Sequence, residues 1–142
     1  MAKVILTNPV ITFQVYGGGP TYDFSDHIAN VTLGTTHDLV EITKSGDLSK
    51  HRIAGLADNT VSFEFHQDFD VNSIEDIIGD NVGNLMNVTI KASTSGVSVL
   101  NPLWSFVAVI SEWTPVNAGP GQLSTISVTW PINGDITKTT TP

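Results

Sequence analysis

Apolar and polar residues alternate with a period of two along much of the chain. The alternation is clearest at residues 61–65, where valine and phenylalanine flank serine and glutamate. A period of two puts successive side chains on opposite faces of a strand, so the pattern predicts strands with one buried face. Phe69 continues the apolar face, and we predict that this strand reaches about residue 70. Further strands are predicted over residues 10–16, 28–33, 39–43, 86–93, 104–113 and 123–130.

One segment, at about residues 72–82, has the pattern of a helix. Asn72 can cap its N-terminus, and Glu75 follows three residues later. Its isoleucines share one helical face: Ile74, Ile77 and Ile78. A helix of two or three turns is not stable alone, so this face must pack on a sheet. The sequence therefore predicts a mainly β protein, either a β-sandwich or a partly closed barrel, with one short flanking helix.

The longest polar stretch, residues 44–59, predicts a long loop around a small apolar island at residues 53–56. Loops of this length are uncommon in compact domains unless they have a function, and a hairpin without one is the alternative. If the chain forms an assembly, we predict that this loop contacts a neighbouring subunit and becomes ordered only there. The residues proposed for this contact are Lys44, Asp47, Lys50, His51, Arg52, Ile53 and Leu56.

The length and composition narrow the class of protein. With 142 residues the chain predicts a single domain over residues 1–142, and its threonine-rich end predicts a flexible tail over residues 137–142. The sequence has no cysteine, which excludes disulfides and thiolate metal sites. It has no apolar run of about 18 residues, so no membrane span is predicted.

The charge is acidic, with fourteen Asp and Glu against six scattered Lys and Arg and a net charge of −8. Because DNA binding depends on clustered cations that neutralise phosphates, this composition argues against a protein that grips nucleic acid. An acidic surface can still face DNA without holding it. If the chain forms an assembly, its copies repel one another, and added salt is expected to promote association.

Candidate catalytic and metal-binding patterns are absent from the sequence. The glycines at 17–19 are not followed by the Gly-Lys-Ser/Thr of a phosphate loop, and no Gly-x-Ser-x-Gly motif occurs. Metal-ligand spacing is absent among the histidines, which are His27, His37, His51 and His66. We therefore predict no enzymatic activity, no catalytic residues, no cofactor and no metal.

The three tryptophans, Trp104, Trp113 and Trp130, all fall in predicted strands. Core packing with a satisfied indole N–H is the ordinary role of such residues. The alternative role is an exposed aromatic surface on which sugar rings bind. A carbohydrate-binding β-sandwich module therefore stands as an alternative function.

The order and spacing of several segments resemble the major tail protein, the tail-tube subunit, of long-tailed, non-contractile bacteriophages. The resemblance spans nearly the whole chain. The segments that carry it are residues 24–28, 31–33, 40–43, 50–56, 61–69, 112–116 and 127–131.

The resemblance implies a virion structural protein, made in the bacterial host cytoplasm and located in the tail. Six copies would form a ring, and rings would stack into a hollow tube. The tube would surround a tape-measure protein, meet a tail terminator, and pass DNA without specific binding. A subunit of another phage or secretion-system tube, or a capsid decoration protein, is the alternative with similar architecture.

Overall fold

The computed structural model describes residues 8–141 and shows a mainly β fold of two antiparallel sheets that do not close into a barrel. A five-stranded sheet has the order β2-β1-β5-β6-β8, and a three-stranded sheet has the order β3-β4-β7. The five-stranded sheet consists of β1 (Val10–Val15), β2 (Thr21–Asp23), β5 (Leu85–Lys91), β6 (Leu103–Val109) and β8 (Thr137–Thr139). The three-stranded sheet consists of β3 (Ile28–Glu41), β4 (Arg52–His66) and β7 (Thr125–Pro131).

The core lies between the two sheets and is built by the alternation that the sequence shows. In β4, Val61, Phe63 and Phe65 are buried while their polar neighbours are more exposed. The ring centroids of Phe63 and Phe65 are 5.2 Å apart, and Phe63 lies 5.6 Å from Trp130 on β7. Aromatic pairs at this spacing add to the free energy of apolar burial, so these rings fix how the sheets pack.

The predicted loop over residues 44–59 is too long. The structure continues β4 back to Arg52, so the connection between β3 and β4 spans only residues 42–51. Residues 52–59 are paired with β3 in the single chain. That the loop becomes ordered only in an assembly stays a prediction. Sequence reasoning failed here because both faces of this hairpin are exposed. The apolar and polar contrast that identifies a strand is therefore weak.

The other end of β4 also differs from the prediction. The strand ends at His66, and the side chain of Phe69 lies in the following loop, 70% exposed. The predicted strands over residues 28–33 and 39–43 are parts of one long strand, β3, which carries a register shift between His37 and Leu39.

The helix is present but shorter than the predicted segment 72–82. It is α1 (Ile74–Ile77), followed by a 3-10 turn over Gly79–Asn81. Ser73 occupies the N-cap position, while the positive φ of 59° at Asn72 takes that residue out of the capping geometry. The isoleucine face is buried as predicted.

Two predictions near the C-terminal half need correction. Thr137–Thr139, part of the tail predicted over residues 137–142, forms β8 and pairs with β6, while Pro142 lies outside the described residues. Of the predicted strand over residues 104–113, only the part within β6 forms, and Trp113 lies beyond it. Within residues 8–141, no helix is long and apolar enough to cross a membrane.

Candidate assembly surface

The most unusual feature of the molecule is a two-stranded extension of the three-stranded sheet, which we call the ribbon (residues 34–58). β7 pairs with β4 only from Thr60 to His66. The Asn59 carbonyl still accepts a 2.9 Å hydrogen bond from the Ile132 N–H. Residues 52–58 of β4 therefore run on with β3 alone, for about 23 Å at roughly 3.3 Å per residue. No residue of the ribbon is buried. Because an isolated two-stranded hairpin is marginally stable in water, the ribbon is a segment that a partner would stabilise.

The ribbon exposes large apolar side chains. Leu39 is 70% exposed, Leu56 is 84% exposed and Leu48, in the connecting loop, is fully exposed at 103%. Val40 and Ile53 stand opposite each other in register, so they share one face of the ribbon. Scattered apolar residues are normal on a protein surface, but here several of them are concentrated on one protruding element.

The structure brings the seven residues proposed for the inter-subunit contact together at the far end of the ribbon, which we call the tip (residues 42–53), and just behind it. Lys44, Asp47, Lys50 and His51 lie in the connecting loop, whereas Arg52, Ile53 and Leu56 lie on β4. The loop is held locally. The Asp47 carboxylate accepts a hydrogen bond from the Lys44 backbone N–H at 2.8 Å, and the Thr43 hydroxyl accepts one from the His51 N–H at 2.8 Å.

The root of the ribbon is fixed by Asn59, a side chain that sequence reasoning missed. Asn59 is 6% exposed, and its amide oxygen accepts a 2.7 Å hydrogen bond from the Thr35 hydroxyl. Its amide nitrogen donates to the Gly134 carbonyl at 2.8 Å. A buried polar side chain with both ends satisfied orients the groups around it. A lone asparagine in a polar stretch gives no sequence signal for this role.

The outward face of the three-stranded sheet forms a second surface, which we call the hydroxyl face. Its side chains are small and polar: Asn30, Thr32, Ser62, Glu64, Ser127 and Thr129. They border a shallow groove of about 240 Å³, and the Ser62 and Thr129 hydroxyls lie 3.0 Å apart. None of these side chains is a lysine or arginine. The face therefore offers hydroxyls and a carboxylate without any cation that could bind a phosphate.

The edges of the two sheets differ in length. The five-stranded sheet ends in β2 and β8, each of three residues, and such short edges offer little for pairing. The three-stranded sheet ends in β3, whose 14 residues pair only with β4 among the described strands. The other edge, β7, is partly covered, because the Glu112 carboxylate accepts a 2.8 Å hydrogen bond from the Thr129 N–H. The long edge of β3 is therefore the open one.

A cluster around His27 closes the opposite end of the molecule from the ribbon. The His27 ring lies between two carboxylates, with Nδ1 2.8 Å from Asp26 and Nε2 2.8 Å from Asp68. Burial lowers the pKa of His27, but the hydrogen bonds and charges of Asp68 and Asp26 together outweigh it, so the pKa is raised above 6.5. The pKa of Asp68 is lowered, first by the hydrogen bond from the Asp70 N–H and then by that from His27.

We expect this cluster to make stability depend on pH. A raised pKa for His27 gives stability that is complete below its unfolded pKa, about 6.5, and is lost as pH rises through the folded value. A lowered pKa for Asp68 gives stability that is present above its unfolded pKa, about 3.9, and is lost on acidification. The contribution of the pair to stability is therefore greatest between these limits and declines as the pH rises above about 6.5.

Thermal unfolding followed by circular dichroism between pH 5 and 8 measures this effect. Asp68→Asn is expected to flatten the change in melting temperature between pH 5 and 8, relative to the unmodified chain. His66→Gln is the matched control, since the His66 side chain makes no hydrogen bond within residues 8–141, and it should leave the slope unchanged. Equal slopes for the unmodified chain and Asp68→Asn would contradict the assignment.

The tryptophans do not form a common exposed platform. Trp130 is fully buried, and its indole N–H donates to the Glu112 carbonyl at 3.0 Å. Trp113 donates to the Glu75 carboxylate at 2.7 Å. Trp104 lines an apolar cavity of about 640 Å³ between the sheets and carries the Lys138 ammonium 5.3 Å from its ring centroid. This arrangement does not favour the carbohydrate-binding alternative, which needs aromatic faces open to solvent.

No protein-family model matches the chain, and no curated protein matches it in sequence. Solved structures share its fold. A chain of the SPP1 tail tube superposes with a TM-score of 0.78 at 10% identity, covering 97% of this chain and 80% of that one. A chain in the baseplate of the anti-feeding prophage (AFP) gives 0.65 at 14% identity, covering 99% and 97%. A chain in the tail of an empty GTA particle gives 0.62 at 10% identity, covering 92% and 94%. At these identities the likeness establishes the fold alone, which is the tail-tube fold.

Proposed function

We propose that the chain is the structural subunit of a bacteriophage tail tube, made in the host cytoplasm and incorporated in the virion tail. The observation that carries the proposal is a fold shared with the SPP1 tail tube along 97% of the chain, with a ribbon that residues 8–141 leave exposed. We assign it to the long-tailed, non-contractile class because the sequence resembles the major tail proteins of those phages. Its role is mechanical, and no catalytic step is required.

Ring formation follows from the open sheet edge. A strand edge of the length of β3 is a template for pairing, and natural proteins cover such edges or close them into barrels. Copies arranged around an axis can cover the β3 edge of each with part of a neighbour, so that the three-stranded sheets together line an inner wall. We propose six copies per ring, the number that the sequence resemblance to major tail proteins implies. The GTA tail and AFP baseplate structures both have sixfold symmetry.

The hydroxyl face is the surface we place on the channel. Glu64 lies on this face, and a ring of six copies would present six such carboxylates. Asp58 stands on the same side further along β4, because the register alternates without interruption between the two residues. The carboxylates repel phosphates, and the hydroxyls carry no positive charge that would neutralise them. DNA therefore passes without specific binding. In this scheme the tape-measure protein occupies the channel before DNA does, and a tail terminator ends the tube.

A second function, a tail-tube-like ring within a baseplate, is favoured by one observation. The AFP baseplate chain matches 99% of this chain and 97% of itself, so the two chains agree closely in length. A baseplate ring would share the sixfold wall and the open channel. It would differ from a tube subunit in not stacking repeatedly into a long tube.

Electron microscopy of the purified chain tests the proposal. Across increasing protein concentration, negative staining is expected to show annular particles and then hollow filaments of constant diameter. Annuli that never stack would favour the baseplate alternative. A monodisperse monomer at every concentration, also when annular particles of a tail initiator are supplied, would contradict both functions.

A further inference from the structure

The connection that crosses from one sheet to the other contains the one Asn-Gly pair in the sequence, Asn133-Gly134. It follows β7 of the three-stranded sheet and precedes β8 of the five-stranded sheet. Asparagine is among the residues least stable to heat, because its side-chain amide can react with the main chain. Glycine has no Cβ to shield its own nitrogen, so an asparagine followed by glycine reacts most readily.

The reacting groups of this pair are free in the fold. Asn133 and Gly134 are both exposed, and the Asn133 side-chain amide makes no hydrogen bond within residues 8–141. The peptide group between the two residues is also free, since neither the Asn133 carbonyl nor the Gly134 N–H is bonded in that range. This peptide can therefore turn and bring the Gly134 nitrogen against the side-chain carbonyl carbon of Asn133.

The groups on either side of that peptide are held, and they join the two sheets at the root of the ribbon. The Asn133 N–H donates to the Val107 carbonyl of β6 at 2.7 Å. The Ile132 N–H donates to the Asn59 carbonyl at 2.9 Å. The Gly134 carbonyl accepts the 2.8 Å hydrogen bond from the Asn59 side chain. A change in the length of the main chain at Asn133 therefore acts directly on the anchor of the ribbon.

The reaction needs water alone as co-reactant. The Gly134 nitrogen bonds to the side-chain carbonyl carbon of Asn133, and ammonia leaves with the proton of that nitrogen, which closes a succinimide ring. Water then opens the ring at one of its two carbonyls. Opening at the former side-chain carbonyl gives aspartate. Opening at the former main-chain carbonyl gives isoaspartate, in which the main chain is one carbon longer and a new carboxylate stands beside it.

We propose that Asn133 is a site of spontaneous deamidation, at which conversion to isoaspartate releases the ribbon from its anchor. The longer main chain moves the Gly134 carbonyl away from the Asn59 side chain. Asn59 is only 6% exposed, so its amide nitrogen is then left without a partner, which is costly for a buried donor. The Thr35 hydroxyl, bonded to the other end of the same amide at 2.7 Å, is held less firmly. The root of the ribbon therefore opens more often, while the core between the sheets is unchanged.

Peptide mass spectrometry of the purified chain tests whether Asn133 is the reactive site. The chain is stored at mildly alkaline pH, and chromatography separates isoaspartyl from aspartyl peptides. Asn133 is expected to convert before Asn30, which is also exposed but is followed by the β-branched Val31. Asn133→Gln should not convert at this position in the same time, because glutamine would have to close a larger ring. Conversion of Asn30 as fast as Asn133 would overturn the assignment.

Hydrogen exchange and thermal unfolding test the effect on the ribbon. Ion-exchange chromatography isolates the converted chain by its additional negative charge. Its amides at the ribbon root, residues 33–36 and 58–61, should exchange faster than in fresh protein, while those of β5 should not change. Its melting temperature should be lower by at least about 2 °C, the scale of a lost buried contact in a chain of this size.

Asn133→Asp is the matched control, because it adds the same charge without lengthening the main chain. It should keep the exchange rates and melting temperature of fresh protein. Unchanged exchange at the ribbon root in the converted chain would overturn the proposed release. Equally fast exchange in Asn133→Asp would overturn the main-chain explanation. None of these readouts requires assembly, so they stand or fall separately from the proposed tube function.

Discussion

Removal of most of the ribbon is expected to abolish tube formation and to leave the rest of the molecule folded. His37 and Ala57 stand opposite each other in register, so residues 38–56 can be replaced by a two-residue Asn-Gly turn. None of the deleted residues is buried, and the core cluster contains no residue between Phe24 and Val61. The free energy of unfolding should therefore change by less than about 1 kcal/mol, the usual scale for exposed sites.

Two measurements separate assembly from folding in this variant. Circular dichroism and thermal unfolding should match the unmodified chain, while electron microscopy should show no filaments at any concentration. A control variant, with Lys138→Gln on β8, should assemble normally, since it alters an exposed residue outside the ribbon. Normal filaments from the shortened chain would contradict a role for the ribbon in stacking.

Truncation of Trp130 has the largest effect that we expect on stability. The side chain is fully buried, and its ring lies 5.6 Å from Phe63 and 6.0 Å from Phe65. Trp130→Ala leaves a cavity between the sheets and removes the donor to the Glu112 carbonyl. Large-to-small changes of this kind cost about 3–5 kcal/mol. The free energy of unfolding of a native protein is only about 5–15 kcal/mol. Trp130→Ala should therefore lower the denaturant concentration at the midpoint of unfolding by a large amount.

The matched comparison for this prediction uses a second tryptophan. Trp104 is half-buried beside the apolar cavity, so Trp104→Ala should lower the free energy of unfolding by clearly less than Trp130→Ala. Trp130→Phe keeps an aromatic ring but loses the indole N–H, and an intermediate loss is expected. Equal losses for Trp104→Ala and Trp130→Ala would show that the core is not centred where the structure places it.

Predictions of strand position and inward face were most accurate for strands with one buried face. In β4 and β7 the alternation of Val61, Phe63, Ile126 and Val128 with polar residues identified both strands and their inward faces, because burial imposes the period. The mainly β class and the isoleucine face of the helix followed from the same rule. Whether the sheets close into a barrel could not be predicted, because closure depends on pairing between distant strands.

The ribbon shows why other features escaped prediction. Residues 52–59 form a strand through backbone pairing with β3, although both faces are exposed, so no periodic signal marks them. The proposed contact residues, from Lys44 to Leu56, were identified as one segment, and the structure places them at one extreme of the molecule.

Cryo-electron microscopy of the assembled protein tests the central claim most directly. The account predicts a hollow polymer with sixfold rings, in which Glu64 and Ser127 line the channel and each ribbon contacts a neighbouring subunit. A polymer with the hydroxyl face on its outer surface, or concentrated protein that remains a compact monomer, would contradict it.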